Sequence, residues 1–271
     1  MQRKKIIDCF LFLNEYEILE GRLEYLYDVV DYFVIVESDM TYNGNQKNLN
    51  FIENMSKYKK YLDKILYFPI HFDSSSYKLD VEVNQLDYST DHWQVEFNQR
   101  NHISTALKFF NDDDVVIISD LDEMPNKNAI PFVVEHITDE NPFIGFKQDM
   151  FYYNFKQKQL MSWFGPVAGK NKFVVEATPN GLRGSRNAFP HITNGGYHLS
   201  YWTTIDNMKY KITNFAHQEL NKPQYLDDSV MQQRIDNGKD LFGRENPFVK
   251  VRLDEIDPEI LRIFGKYQKY V

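Results

Sequence analysis

The sequence predicts an α/β protein built on a doubly wound, mostly parallel twisted sheet flanked by helices, and three observations lead there. Apolar runs of strand length alternate with segments whose apolar residues recur at spacings of three and four. The early runs end in polar residues, which is where open parallel sheets bind ligands. The chain has 271 residues, 42% hydrophobic and 26% charged, with only 12 Gly and 10 Pro, so it can bury one large core and is neither disordered nor fibrous.

Ile6 to Leu13 reads as a buried first strand, and Leu19, Leu23, Leu26 and Val30 follow on one helical face. Phe33 to Val36 is the second strand. Next come a short helix at Tyr58 to Leu62, a strand at Ile65 to Pro69, and a helix at Val95 to Phe110 that turns Ile103, Ala106, Leu107 and Phe110 inward. Val115 to Ile118 is the fourth strand. Past Asp120 the rhythm changes: Pro131 to Ile137 reads as helix, Phe143 to Phe155 as a long strand, and Lys172 to Glu176 and Tyr197 to Trp202 as strands between Gly/Pro/Asn-rich loops. Trp163 to Arg186 reads as a variable loop, and Leu226 to Asn237 and Pro258 to Phe264 close the chain as helices. No internal repeat or low-complexity linker divides it, so a single domain over residues 1–271 is expected.

The net charge of -8 argues against a partner that is nucleic acid, which is bound by neutralising phosphates, and favours an acidic site that uses a cation. The single cysteine, Cys9, excludes an internal disulfide and a thiolate zinc site. Asp8 interrupts the apolar start, no small-residue cleavage site follows, and no run is long enough to span a bilayer. The expectation is a soluble cytoplasmic protein with no membrane span.

Polar residues cluster after three strands: Asn14 and Glu15, then Glu37, Ser38, Thr41 and Lys47, then Ser119, Asp120, Asp122 and Glu123. Asp120 and Asp122 are two apart at the end of a buried strand, where hard oxygen ligands can hold Mg²⁺ or Mn²⁺ against a diphosphate. About five acid-x-acid triplets arise by chance in so acidic a chain, so placement rather than pattern carries the reading. Asp112 and Asp114, before the strand, read as a solvated turn. Glu96 and Arg100 form either an exposed ion pair or a polar stripe facing the cleft. Of the histidines, His198 ranks ahead of His217, because glycines at 195 and 196 allow a ligand close to the backbone.

The segments Phe10 to Leu23, Val30 to Ser38 with Thr41 and Gly44, Glu96 to Arg100, Ser119 to Pro125 and Gly195 to Ser200 together resemble glycosyltransferase family 17. That family includes β-1,4-mannosyl-glycoprotein β-1,4-N-acetylglucosaminyltransferases. The resemblance implies a GT-A-like nucleotide-sugar transferase fold, a UDP-sugar donor, Mn²⁺ or Mg²⁺ at an Asp-x-Asp motif, a glycan acceptor and inversion at the anomeric carbon. Asp120 and Asp122 match the motif, and His198 matches the histidine of a Gly-Trp-His segment in which Tyr197 here replaces Trp. Asp120, Asp122 and His198 are thus the expected metal ligands, with Asn14, Glu15, Glu37, Ser38, Arg100, Asp120 and Lys211 expected at the nucleotide. An inverting transferase also needs a carboxylate base, for which Glu219, Glu123 and Asp149 are candidates with Glu219 leading. The implied division is a nucleotide-sugar half over 1–125, an acceptor half over 126–250 and a helical tail over 251–271. The competing readings are a metal-dependent phosphoesterase, which wants two metals and more ligands, and a non-catalytic glycan-binding module using Trp163 and Trp202.

Overall fold

The computed structural model describes residues 3–270, with side chains described through 267. In chain order the front half holds β1 (Ile6–Leu11), α1 (Tyr16–Leu26), β2 (Tyr32–Ser38), α2 (Asn50–Asn54), β3 (Ile65–Ile70), α3 (Asp91–Asn101), α4 (Ile103–Leu107) and β4 (Val115–Ile118). The back half adds β5 (Glu123–Pro125), α5 (Ile130–His136), β6 (Phe143–Tyr152), β7 (Gln157–Gln159), β8 (Trp163–Lys170), α6 (Asn171–Ala177) and α7 (Pro179–Gly184). It ends with β9 (His191–Ile192), β10 (Gly196–Ser200), α8 (Ile205–Asn214), α9 (Asp228–Asp236), β11 (Phe248–Lys250) and α10 (Pro258–Phe264).

The expected α/β class holds, with helices flanking one large sheet in the order β11-β7-β6-β8-β4-β1-β2-β3. β3, β2, β1 and β4 form a parallel block; β1, β2 and β4 are covered on both faces and read as apolar runs broken only by Asp8 and by Glu37 and Ser38 at the end of β2, while the edge strand β3 is half-buried. Ile6, Phe10, Phe33, Ile35 and Ile117 pack with α1 and α10 on one face. Ile7, Cys9, Val34, Val36, Val116 and Ile118 pack with Ile103, Ala106 and Leu107 of α4 on the other. The helix expected over Val95 to Phe110 starts earlier and is interrupted at His102.

The back strands are different in kind. β8 pairs antiparallel with both β4 and β6, and β7 and β11 continue antiparallel, whereas β9 and β10 lie parallel to β6. Two sequence expectations fail here. Lys172 to Glu176 is helix α6, not strand: Asn171 and Val174 turn inward at helical spacing, a period hidden by the adjacent Val174 and Val175. Trp163 to Arg186 is not a loop but β8 followed by α6 and α7. Its glycines are there for lack of room, since a Cβ at Gly165 would meet the side chains of Gln148 and Glu123, and one at Gly169 would meet Phe143. Pro166 lies where the β6–β8 register shifts, a position that needs no ladder donor.

The glycines before β10 also serve backbone packing rather than a ligand. Gly196 has φ +123°, and a Cβ on it would fall 2.0 Å from the carbonyl oxygen of Met124 on the paired strand β5. A third cluster, with Met208 and Ile212 of α8, Met231 and Ile235 of α9, Leu241 and Phe242, packs beneath β6 and β10. Among the described residues no helix is long and apolar enough to cross a membrane.

Candidate active site

The charged centre of the molecule lies where the parallel strands end, and a buried arginine fixes its backbone. Arg22 occupies the apolar stripe of α1 and is fully buried with Asp8 of β1, to which it donates two bonds of 2.8 and 2.7 Å. Its remaining nitrogen hydrogens go to the segment after β4: to the carbonyl oxygens of Asp120, Leu121 and Glu123 at 3.1, 3.0 and 2.8 Å, and to Ser119 Oγ at 2.6 Å. An ion pair placed in the core is costly to desolvate and is retained only when such bonds satisfy it. Here it holds the turn that displays Asp120 and Asp122.

Both aspartates face cations. Asp120 Oδ1 accepts from Arg100 at 3.0 Å and Oδ2 from Arg183 at 2.7 Å. Arg100 comes from α3, where Glu96 one turn earlier pairs with it at 2.7 Å, so the stripe on this helix faces the cleft rather than open solvent. Asp122 Oδ2 meets Lys211 of α8 at 3.1 Å, and its Oδ1 lies 3.5 Å from His198 Nε2 of β10. Lys211 also reaches Glu15 at 3.1 Å. Desolvation in the cleft would raise both aspartate pKa values, yet Arg183 and Arg100 at Asp120, and Lys211 and His198 at Asp122, outweigh it and hold both below the usual carboxylate range.

The profile of glycosyltransferase family 17 matches residues 1–246. The chain belongs to glycosyltransferase family 17. Over 159 residues it is 29% identical to the β-1,4-mannosyl-glycoprotein 4-β-N-acetylglucosaminyltransferases of Rattus norvegicus and Homo sapiens, an alignment spanning 58% of this chain. It corresponds to 28% of the length of those relatives. Among solved structures, 4-diphosphocytidyl-2C-methyl-D-erythritol synthase from Anaerococcus prevotii overlaps loosely, with a TM-score of 0.39 at 10% identity, covering 76% of this chain and 95% of that one.

In this member of family 17, the structure draws together Glu15, Arg100, Asp120, Asp122, His198 and Lys211 from the sequence-derived set. Asn14 adjoins the group, its backbone N–H donating to Glu15 at 3.1 Å. Glu37 and Ser38 take other work. Glu37 is fully buried and accepts from Lys47, the backbone N–H groups of Asn50 and Phe51, and the Tyr67 hydroxyl at 2.6 to 3.0 Å. With its lone pairs used, it anchors the start of α2. Ser38 staples its own turn through the backbone of Met40.

Two of the three base candidates are likewise accounted for. Glu123 is fully buried: it accepts the Asp120 backbone N–H at 3.0 Å, the Trp163 indole N–H at 2.5 Å and an Arg183 N–H. It therefore positions Asp120 and Arg183, with no free oxygen for an acceptor. Asp149 pairs in register with Tyr197, whereas His198 pairs with Met150 and Glu123, so strand alternation puts Asp149 on the opposite face from the cluster, where it meets Lys158 at 2.8 Å. Glu219 sits in a one-turn 3₁₀ segment after α8 and bonds His217 Nδ1 at 2.7 Å. The upstream Asp114 is no solvated residue either, being buried against the backbone N–H groups of Lys5 and Asn111.

Sequence reasoning passed over Arg183 and Tyr42. Arg183 lies in a Gly/Asn-rich stretch with no apolar period, so nothing flagged it. Burial, with Glu96 beside it, pushes the Tyr42 hydroxyl well above its ordinary pKa, keeping it a donor near Glu96, Arg100, Asp120 and Glu15. Its segment is tied over the cleft by the Tyr42 N–H to Asn214 O bond of 3.1 Å.

A divalent cation fits this donor set. Glu15, Glu96, Asp120, Asp122 and Glu123 face Arg100, Arg183 and Lys211, with Arg186 also acting on Asp120 and Glu123, so carboxylates outnumber the fixed cations and favour a positive ion. Among the described residues no group of three or more His, Cys, Asp and Glu is placed to hold a metal ion. Mg²⁺-type sites at nucleotides need none, because one or two carboxylates serve and phosphates and water complete the shell.

Proposed function

We propose that this family 17 member moves a sugar from a UDP-sugar to a glycan hydroxyl with inversion and with Mn²⁺ or Mg²⁺ as cofactor, the sugar being N-acetylglucosamine as the names of its relatives suggest. The observation that supports it most directly is the Asp120–Asp122 pair, presented at the end of β4 by Arg22 and ringed by Arg100, Arg183, Lys211 and His198. Asp122 with His198, assisted by Asp120, would hold the cation, which when bound neutralises charge on the donor diphosphate.

The chain's own groups do the rest. Lys211 and Arg100 are held at the carboxylates before donor arrives, so an incoming diphosphate can take over their N–H groups without reorganisation. Glu123 keeps Asp120 and Arg183 in place from below. The Tyr42 hydroxyl, its pKa raised by burial and by Glu96, stays protonated beside these charges. The acceptor oxygen attacks the anomeric carbon as the bond to the diphosphate breaks.

The test combines binding with turnover. UDP should raise the melting temperature of the wild-type protein only when Mn²⁺ is present. Asp122→Asn should abolish that metal-dependent shift and lower UDP release from UDP-N-acetylglucosamine by roughly 100-fold or more, with the melting temperature of the free protein little changed. Full activity of the variant in Mn²⁺ would overturn the metal assignment. Stabilisation by free sugars without nucleotide would point instead to a glycan-binding module.

A further inference from the structure

His217 and Glu219 form a second buried-to-exposed pair that the metal reading leaves unused. The Glu219 carboxylate is 11% exposed, and His217 is 39% exposed. An ionised carboxylate can only accept, so at 2.7 Å the His217 Nδ1 must carry the proton and donate it to Glu219 Oε1. With Nδ1–H so engaged, the neutral ring carries its lone pair on Nε2, which makes no hydrogen bond among the described residues. The other carboxylate oxygen, Glu219 Oε2, is buried and unpartnered among the described residues.

The pair is also placed for use. The His217 ring meets the edge of Trp93 at 4.6 Å and 80°, and Phe215 lies at 5.5 Å from its own segment. Trp93, Glu96 and Arg100 share one face of α3, and Arg100 touches Asp120. Seven residues of helix separate Trp93 from Arg100, about 10 Å along the axis, a span that accommodates a sugar ring between the two. The helix leading into the segment is anchored twice, by Lys211 of α8 on Asp122 and by Asn43 Nδ2 on the Thr213 carbonyl at 2.6 Å.

We infer that His217, oriented by Glu219, is the general base of the transfer, and that Glu219 is a positioning residue rather than the base itself. The inference rests on the transferase reading above. As the acceptor O–H attacks the anomeric carbon, its proton passes to His217 Nε2 while the electron pair of the breaking bond leaves on the diphosphate. Glu219 stabilises the imidazolium and stays ionised. Trp93 is the only ring recorded against the histidine from another element, and Glu219 the only charged group hydrogen-bonded to it, among the described residues.

Three measurements test it. Long-range ¹⁵N–¹H spectra of the wild-type protein should show His217 as the Nδ1–H tautomer, and Glu219→Gln should lose that preference. UDP release from UDP-N-acetylglucosamine with water as acceptor, at single turnover in Mn²⁺, should fall roughly 100-fold or more in His217→Ala with UDP binding unchanged. Added imidazole should restore a good part of the loss, and the double variant His217→Ala/Glu219→Gln should be no slower than His217→Ala. An Nε2–H tautomer, His217→Ala at the wild-type rate, or a loss that imidazole does not restore would each overturn the inference. Failure of the wild-type protein to bind UDP with Mn²⁺ would instead overturn the transferase reading on which it stands.

Discussion

The parallel block of β1 to β4 and the antiparallel back half place their charges by opposite means. In the front, Asp8 and Arg22 are wholly buried and their polar atoms are spent on each other and on the Asp120–Glu123 backbone. In the back, Arg183, His198 and Lys211 reach forward from α7, β10 and α8 as single side chains that touch Asp120, Asp122 or Glu15. The front therefore sets where the carboxylates stand, and the back sets what charge surrounds them. Damage to the first should unfold the site, whereas damage to the second should change its chemistry.

The largest effect expected on stability comes from Arg22→Met, which keeps length and removes the charge. It leaves the Asp8 carboxyl without its partner in the core and takes the side-chain donor from the carbonyls of Asp120, Leu121 and Glu123, a loss of about 3–5 kcal/mol. Urea denaturation of the variant should show it. The double variant Asp8→Leu/Arg22→Met removes the orphaned charge and should recover much of that stability while UDP binding stays impaired, because the Asp120–Glu123 turn is still unheld. Full binding in the double variant would show that β4 alone fixes the turn.

Gly196→Ala probes the seam inside the back half where β10 meets the strand that continues the Asp120–Glu123 turn, β5 and β10 setting Glu123 opposite His198. A Cβ cannot sit 2.0 Å from the Met124 carbonyl oxygen, and φ +123° is strained for any L side chain, so β5 and β10 must part. A cost of about 1–3 kcal/mol is expected on thermal or urea unfolding, with UDP affinity weakened as His198 shifts. An unchanged melting temperature would mean that the seam yields freely.

The same contrast explains what could be read from the sequence. The front strands are mostly apolar, three of them covered on both faces, so Ile6–Leu11, Tyr32–Ser38, Ile65–Ile70 and Val115–Ile118 were legible to within a few residues. The polar residues after them led to Asp120 and Asp122. β8 was not legible, since Gly165, Pro166 and Gly169 are chosen by close packing and a register shift, and they look like a loop. Arg22 carried a signal that went unused: it stands three residues after Leu19, on the apolar stripe of α1, where a charge must be paired. Glu37 shows the reverse, a strand-end carboxylate that looks like a ligand and is consumed by a helix start.

The smallest effect expected lies wholly in the back half, at Asp240, and it is a pH effect. Burial would raise its pKa, but hydrogen bonds and charge from Arg244 prevail and lower it below the ordinary value. A lowered folded-state pKa means that the unfolded chain takes up the proton first as pH falls. Stability from this group is therefore fully present above about pH 4 and is lost as pH drops from there toward the folded-state pKa. Asp240 also accepts the backbone N–H of Phe242 at 2.9 Å, a bond that orders the segment packed under β6. In Asp240→Asn the neutral side chain has no proton to take up, so the melting temperature should start lower at pH 7 and the gap from wild type should narrow toward pH 3. A gap that stays constant with pH would assign the loss to packing around Phe242 and not to the charge. A narrowing gap accompanied by unchanged UDP affinity would show that the back half can be loosened without moving the carboxylates held by Arg22.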